Sequence, residues 1–215
     1  MSRLLDGPQP IRSGIVIVDP DRGTVQRVIV LQFNPDSLER SIAPQASGAE
    51  AQGDRVEALR LKGAAIETWK FTAELDSTDQ LDVPSPLGIH PYLAALEILL
   101  QPPVSTIRTN QTLSNFGTLE ISPVEAPLTL FSWGAQRVVP VRLTELSVSE
   151  EAFDANLSPV RATLSIGLRI LTPSDLPVGH RGAELYLAHL AQKETLAKQF
   201  AGGTLTQLGS PPGLT

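Results

Sequence analysis

The feature that most constrains this chain is a long alternation of apolar and polar residues in its second half. Residues 160–170 place apolar side chains at even-numbered positions, whereas Arg161, Thr163 and Arg169 occupy the other parity. A period of two over this length predicts one long β-strand with a buried face and a solvent-facing face. The chain must therefore build a sheet around this strand.

A second alternating run lies at residues 137–149, and a polar connector at residues 150–159 separates the two runs. Together these segments predict a long antiparallel hairpin within residues 127–171. No cluster of catalytic residue types accompanies it. The hairpin is therefore typical of a structural building block rather than of an enzyme.

Shorter patterns predict the rest of the fold. Further strands are expected at residues 14–19, 25–33, 37–43, 66–76, 119–121 and 128–133. An apolar stripe after Pro91 predicts a helix at residues 89–101, and a second helix is expected at residues 182–200 before Gly202 and Gly203. This element set predicts a mostly β fold, an antiparallel sandwich or barrel with one or two flanking helices.

The same patterns divide the chain into three parts. Residues 1–13 are expected to be an N-terminal arm, residues 14–200 one β domain, and residues 201–215 a flexible tail. Within the domain, residues 44–55 are rich in Gly, Ala, Gln and Ser and predict a mobile loop. Residues 104–117 are interpreted as polar and irregular.

Charge and composition limit the partners of the chain. Its net charge of −6 and pI near 5.1 argue against nucleic acid or anionic lipid as partners. The absence of cysteine excludes disulfides and thiolate metal sites, which fits a reducing compartment. No apolar run approaches the roughly 20 residues that cross a bilayer. We expect synthesis in the cytoplasm and no direct membrane insertion.

The residues that could carry chemistry show no catalytic or metal-binding spacing. His90, His180 and His189 are far apart in the sequence and are expected at the surface or at helix caps. No nucleophile elbow or phosphate-binding loop is present. The sequence therefore predicts no catalytic residue, no cofactor and no metal.

Two groups of carboxylates leave an alternative open. They are Glu74, Asp76 and Asp79, and Glu150, Glu151 and Asp154. Paired carboxylates serve glycoside hydrolysis or hold calcium, so a carbohydrate-binding or glycoside-acting β-sandwich is one hypothesis. Solvation in a loop, or hydrogen bonding to the nearby backbone, is the favoured interpretation.

Several short segments, taken in order, resemble one known family. They are residues 33–35 (FNP), 69–76 (WKFTAELD), 130–134 (LFSWG), 140–144 (PVRLT) and 150–162 (EEAFDANLSPVRA). These segments resemble the tube-type domain of contractile injection systems, in particular the tube–baseplate adaptor of phage-tail-like particles. The resemblance covers about residues 15–193.

This resemblance implies a non-enzymatic structural role. A family member of this branch forms a six-fold ring that links the inner tube to the baseplate. Its implied partners are copies of itself, the inner tube protein, the spike or hub protein, and sheath or other baseplate subunits. It would be incorporated into an injection particle that is released or membrane-anchored. Many adaptors also carry a C-terminal LysM module, and the residues after 200 are too few for one.

The resemblance and the hairpin pattern together suggest contacts between subunits. Phe153 and Leu157 are candidate apolar anchors, and Asp154 and Asn156 candidate sources of directional hydrogen bonds. The competing interpretation is an internal turn whose Phe153 fills its own core. The full set of candidate contacts is Glu150, Glu151, Phe153, Asp154, Asn156, Leu157, Arg161 and Arg169. The two arginines are expected to pair with a neighbour's carboxylates or to be solvated.

A second role on the same fold is left open. The chain could be the inner tube subunit itself, or a cap at the end of the tube. The additional segments at residues 44–55 and 104–117 favour the adaptor, because a repeating tube subunit is usually plainer.

Overall fold

One antiparallel sheet of seven strands forms the body of the protein. The computed structural model describes residues 11–45, 61–78, 87–115 and 125–209. The strands are β1 (Gly14–Val18), β2 (Val25–Val30), β3 (Glu39–Ala43), β4 (Ile66–Asp76), β5 (Leu128–Ser132), β6 (Val138–Phe153) and β7 (Pro159–Ile170). Their order in the sheet is β2-β1-β5-β6-β7-β4-β3. The mostly β, antiparallel fold predicted from the sequence is confirmed.

The sheet curls into a barrel-like shape. In the strand order, β6 and β7 lie between β5 and β4, so a flat sheet would hold β5 and β4 about 14 Å apart. The rings of Phe71 on β4 and Phe131 on β5 nevertheless stack with centroids 5.1 Å apart. The two edge strands β2 and β3 are also consecutive in the chain, joined only by residues 31–38.

The enclosed face of the barrel holds the main core. On β7 the apolar positions of the predicted alternation are buried from Ala162 onwards, and on β4 the same is true of Trp69, Phe71 and Leu75. The buried set on β7 is Ala162, Leu164, Ile166, Leu168 and Ile170. Burying this aliphatic and aromatic surface is the main stabilising contribution to the fold.

The first helix, α1 (His90–Glu97), closes one end of the barrel and continues into a 3-10 turn (Ile98–Leu100). Ile89, Leu93 and Leu96 of this region are buried in the main core. Of the apolar stripe predicted at residues 89–101, Leu93 and Leu96 are confirmed as core residues, whereas Leu100 is exposed. We call this end of the barrel the hairpin end, because the β6–β7 turn lies beside it.

Two hydrogen bonds to backbone carbonyls hold the α1 region against β7 and β2. The Ile89 amide donates to the Pro159 carbonyl at 3.0 Å, and the Tyr92 hydroxyl donates to the Val30 carbonyl at 2.9 Å. Gly88 has a φ of +57°, and a Cβ there would lie 2.2 Å from the Pro159 oxygen. Only glycine fits this approach, since it has no Cβ and tolerates positive φ.

The last helix, α3 (Arg181–Gln199), closes the opposite end, which we call the α3 end. His180 is its N-cap, and the His180 Nδ1 accepts from the Gly182 amide at 3.0 Å. Tyr186 belongs to the main core, whereas Leu185 packs on a smaller cluster on the outer face of the sheet. The predicted C-terminal helix is confirmed.

A helix that the sequence did not predict is α2 (Val104–Asn115), so the interpretation of this segment as irregular is wrong. The segment contains no Gly or Pro to end a helix. Two of its threonine side chains bond within the helix: Thr109 Oγ1 donates to the Ser105 carbonyl, and Thr112 Oγ1 to the Arg108 carbonyl. Polar composition was mistaken for irregular backbone.

Other predictions fall partly or wholly outside the described residues. The strand expected at residues 119–121 lies outside them, as does most of the loop expected at residues 44–55. The segment expected to be a flexible tail contains a 3-10 turn at Leu205–Leu208. Its last residues, like the first ten of the N-terminal arm, lie outside the described residues.

Candidate functional site

The β6–β7 hairpin is longer than predicted and its turn is shorter. The polar connector was placed at residues 150–159, yet β6 runs to Phe153 and β7 begins at Pro159. Glu150 pairs with Ala162 in the strand ladder. The placement was wrong because acidic residues on a solvent-facing strand surface resemble a loop in sequence.

Asp154 organises the turn. Its Oδ1 accepts from the amides of Asn156 and Ser158, both at 2.8 Å, and its own amide donates to the Ser158 carbonyl at 2.9 Å. Leu157 has a φ of +63°, a conformation that costs a branched residue about 1 kcal/mol or more. One oxygen of the Asp154 carboxylate, predicted to bond a neighbour, is thus used inside the turn.

The apolar residues of the hairpin tip face solvent. Phe153 is 50% exposed and Leu157 is 77% exposed, and neither belongs to a buried cluster. The polar side chain of Asn156 is exposed beside them. The tip therefore presents two apolar side chains on a turn that Asp154 and the strand ladder hold in place.

Both candidate arginines have carboxylate partners within the chain. Arg161 donates from Nε and Nη2 to Asp76 Oδ2, at 2.9 and 2.7 Å. Hydrogen bonds from Thr78 and then from Arg161 lower the pKa of Asp76 to about 2. Arg169 donates to Asp175 Oδ1 at 2.7 Å. These charges are matched inside the subunit, so they do not require a neighbour's carboxylate.

The carboxylates of the hairpin do not form one group. Glu151 Oε1 accepts from the Thr163 hydroxyl at 2.8 Å. It shares a hollow of about 360 Å³ with Glu74 and Asp76, and Arg161 lies in the same hollow. Glu150 and Asp154 are not among the residues that line it. The other predicted group, Glu74, Asp76 and Asp79, includes one residue, Asp79, that lies outside the described residues.

Sequence reasoning missed a buried charge cluster at the α3 end. Glu67 on β4 accepts from Arg40 and Trp69 at one oxygen and from Lys193 at the other. The distances are 2.6 Å to Arg40 Nη2, 2.7 Å to Trp69 Nε1 and 2.8 Å to Lys193 Nζ. The cluster joins an edge strand, its neighbour and α3.

The hydrogen-bond partners of Glu67 decide its ionisation state. Burial raises the pKa of Glu67, but the bonds from Lys193, Trp69 and Arg40 outweigh it and lower the pKa to about 2. The carboxylate is therefore ionised across the physiological range. The sequence contained a signal for the burial of Glu67. Residue 67 lies an even number of positions from the core residues Trp69 and Phe71, so it faces the same side of the strand.

His189 lies beside this cluster and differs from its predicted surface position. It is buried on α3, and its Nδ1 and Nε2 have no hydrogen-bond partner among the described residues. Burial and then the Lys193 charge lower the pKa of His189. The other predictions hold, since His180 caps α3 and His90 is exposed at the start of α1.

Metal-binding and membrane-spanning features are absent from the described part of the chain. Within residues 11–45, 61–78, 87–115 and 125–209, no group of His, Asp or Glu is placed to hold a metal ion. In that same part of the chain, no helix has the length and apolar character needed to cross a membrane. The distinctive surfaces of the described residues are the exposed hairpin tip, the free sheet edges and the end of α3.

In the part of the chain that the structure describes, a curled antiparallel sheet with helices at both ends and two exposed edge strands defines a barrel-like β protein. Residues 15–175 match the family described as contractile injection system tube protein. The match covers most of the sequence, and the chain belongs to this family. A comparison with curated proteins finds no match. The chain is thus a tube-type component of a contractile injection system, which assembles with other components of the particle.

Proposed function

We propose that this chain is the ring subunit that links the inner tube of a contractile injection system to its baseplate and spike. It acts as a six-fold ring, in contact with the inner tube protein, the spike or hub protein, and sheath or other baseplate subunits. It is made in the cytoplasm and then incorporated into the particle.

The observation that carries this proposal is α2 (Val104–Asn115), which buries none of its residues. An isolated helix of this length is marginally stable in water, so α2 gains from a partner outside the subunit. Val104, Ile107 and Leu113 supply exposed apolar surface on it. A junction subunit meets different partners on its two faces and therefore needs more distinct surfaces than a repeating one.

The alternative on the same fold is the inner tube subunit or a tube-end cap, which the description of the matched family favours. Copy number separates the linking ring from a repeating tube subunit. In purified particles, quantitative mass spectrometry against the sheath subunit should give one or two rings of this chain. A copy number that rises in proportion to the sheath would identify a tube subunit, and absence from intact particles would refute both roles.

We also propose that the protein is not an enzyme. Glu151 and Asp154, the carboxylates considered for glycoside chemistry, are bonded within the hairpin, and Glu150 lies outside the hollow that Glu151 lines. Hydrolysis and binding assays on cell-wall glycans, with Glu151→Gln as control, should show no difference between the two proteins. Turnover that the substitution abolishes would contradict this proposal.

A further inference from the structure

One face of α3 continues beyond the part of the barrel that it covers. Gly182, Tyr186 and His189 follow each other at helical spacing and are buried. Lys193, one turn further on, is half-buried against Glu67. The first part of this face is therefore an interface within the subunit.

The same face carries two apolar residues past that interface. Leu196 follows Lys193 by three positions, and Phe200 is the C-cap of the helix. Leu196 is 54% exposed and Phe200 is 80% exposed. We call these two residues the α3 overhang. They extend this face of the helix beyond the interface, and among the described residues no buried cluster includes either of them.

The course of α3 decides where the overhang lies. At its start, Arg181 lies beside the β1–β2 turn, since a Cβ on Gly23 would be 2.5 Å from the Arg181 Nη1. Near its end, Lys193 contacts Glu67, which also binds Arg40 on the edge strand β3. The helix thus runs from the β2 side of the sheet to the β3 edge, and the overhang lies at or beyond that edge.

The other edge strand, β2, carries an apolar surface like the one on which α3 packs in the same subunit. Val28 and Val30 on β2 are exposed, and Val28 pairs with Val16, so they share the outer face of the sheet. Val16 packs on the small outer cluster that Leu185 of α3 covers in the same subunit. The β2 valines therefore extend an apolar face on which α3 is already seen to pack.

We propose that the α3 overhang of one copy packs on Val28 and Val30 of the next copy, head to tail around the ring. This inference rests on the proposed ring function. A closed ring of identical subunits needs two different surfaces on each subunit that fit each other, and the overhang and the β2 valines are two such surfaces. The family match ends at residue 175, so the overhang belongs to a part of this chain outside the matched region.

Charge on the two edges favours the same arrangement. Arg27 on β2 and Glu39 on β3 are exposed, and neither forms an ion pair with another described residue. Head-to-tail contact at these edges allows Arg27 of one copy to pair with Glu39 of the next, which assists association. Two apolar side chains alone are too few for a stable pair of proteins, but a closed ring gives every subunit two such contacts.

Cysteine cross-linking tests the contact directly, because the native chain has no cysteine. Full-length Phe200→Cys and Val28→Cys proteins are mixed, assembled into particles and oxidised. The expected product is a disulfide-linked dimer that needs both variants, and a chain carrying both substitutions should give higher multimers up to a closed ring. Leu187→Cys is the matched control, since Leu187 is 53% exposed on another face of α3. Equal cross-linking from Leu187→Cys, or none from Phe200→Cys, overturns the proposal.

A charged substitution separates this contact from the function on which it rests. Phe200→Asp should lower the amount of this chain in purified particles by about tenfold or more, whereas Leu187→Asp should leave it unchanged. Circular dichroism and thermal unfolding of both variants establish that each is folded. If wild type is present at ring stoichiometry and Phe200→Asp matches it, the contact is refuted and the function stands. If wild type itself is absent from particles, the proposed function fails.

Discussion

The two ends of the barrel are closed by opposite kinds of chemistry. At the hairpin end, α1 inserts Ile89, Leu93 and Leu96, all of them apolar and buried. At the α3 end, Glu67 is held by four hydrogen bonds from three side chains, and His189 is buried beside it. One closure depends on apolar packing and hydrogen bonds between uncharged groups, and the other on packing together with charge.

This difference predicts which end of the barrel changes its stability with pH. The titratable group in the α1 contacts described above is Tyr92, and burial raises its pKa further above the ordinary value, so the α1 closure should be insensitive to pH near neutrality. The α3 closure contains a carboxylate and an imidazole whose pKa values are shifted by the fold, so its stability is linked to pH. If the α3 overhang contacts the next subunit, ring assembly inherits this sensitivity.

The largest expected effect is at the hairpin end. Leu96→Ala should lower the free energy of unfolding by about 2–5 kcal/mol, because it leaves a cavity in a packed core. Urea unfolding followed by circular dichroism measures this loss. Ile98→Ala, at an exposed position just after α1, should cost less than about 0.5 kcal/mol. Equal losses would show that α1 does not close the core.

Breaking the charge cluster should cost less. Glu67→Gln leaves Arg40 and Lys193 without their anion, and we expect a loss of about 2 kcal/mol at neutral pH, since both cations retain some solvent contact. The matched control is Glu145→Gln, whose Lys70 pair is exposed and should contribute less than about 1 kcal/mol. A loss no greater than in the control would mean that the cluster adds no stability.

Acid should act through the same carboxylate. The pKa of Glu67 is about 2 in the folded protein against an ordinary value of 4.5. Its stabilising contribution is therefore complete above pH 4.5 and is lost as the pH falls towards 2. Wild type should lose stability more steeply than Glu67→Gln in that window, as measured by urea unfolding at several pH values. Parallel curves would contradict the assignment.

His189 should produce a smaller effect at milder pH. Its pKa is lowered in the folded state, so the unfolded chain binds the proton first, and stability falls as the pH drops below about 6.5. The charged groups facing it are Glu67, Lys193, Arg40 and Arg137. Between about pH 7 and 5.5, His189→Leu should reduce the loss of stability seen in wild type. An unchanged slope would exclude His189 as the titrating group.

The smallest expected effect is local, at the hairpin tip. Asp154→Ala removes the acceptor for two turn amides at a cost of about 1 kcal/mol. Hydrogen exchange should accelerate at residues 154–158, while amides of β4 and α3 remain protected as in wild type. Accelerated exchange in α3 as well would show that the tip and the two closures are coupled.

Much of the fold follows from local pattern. The strands β4 and β7 were predicted within a residue or two, because an apolar–polar alternation of ten or more residues matches the period of a strand and not that of a helix. The α1 and α3 helices followed from apolar stripes and caps. The turn at residues 154–158 and the helix α2 were misread, since polar residues serve loops, exposed strands and exposed helices alike.

Less of the candidate site than of the fold could be predicted from the sequence. The exposure of Phe153 and Leu157 agrees with their proposed role as contacts, which stays a prediction. The partners of Arg161 and Arg169 were not foreseen, because Asp76 and Asp175 become neighbours only through strand pairing and a turn. The α3 overhang could not be predicted from the sequence, since Leu196 and His189 lie on the same face of the helix. They differ only in whether the barrel packs against that part of the face.

By itself, the sequence determined which residues face the core, because a side chain's parity on a strand or angle on a helix is fixed by local backbone geometry. Tertiary structure alone decided that Glu67 is buried with Lys193, 126 positions away, and where α3 stops covering the barrel. Those outcomes depend on how a curled sheet brings distant segments together. A local sequence pattern carries no information about contacts between residues so far apart in the chain.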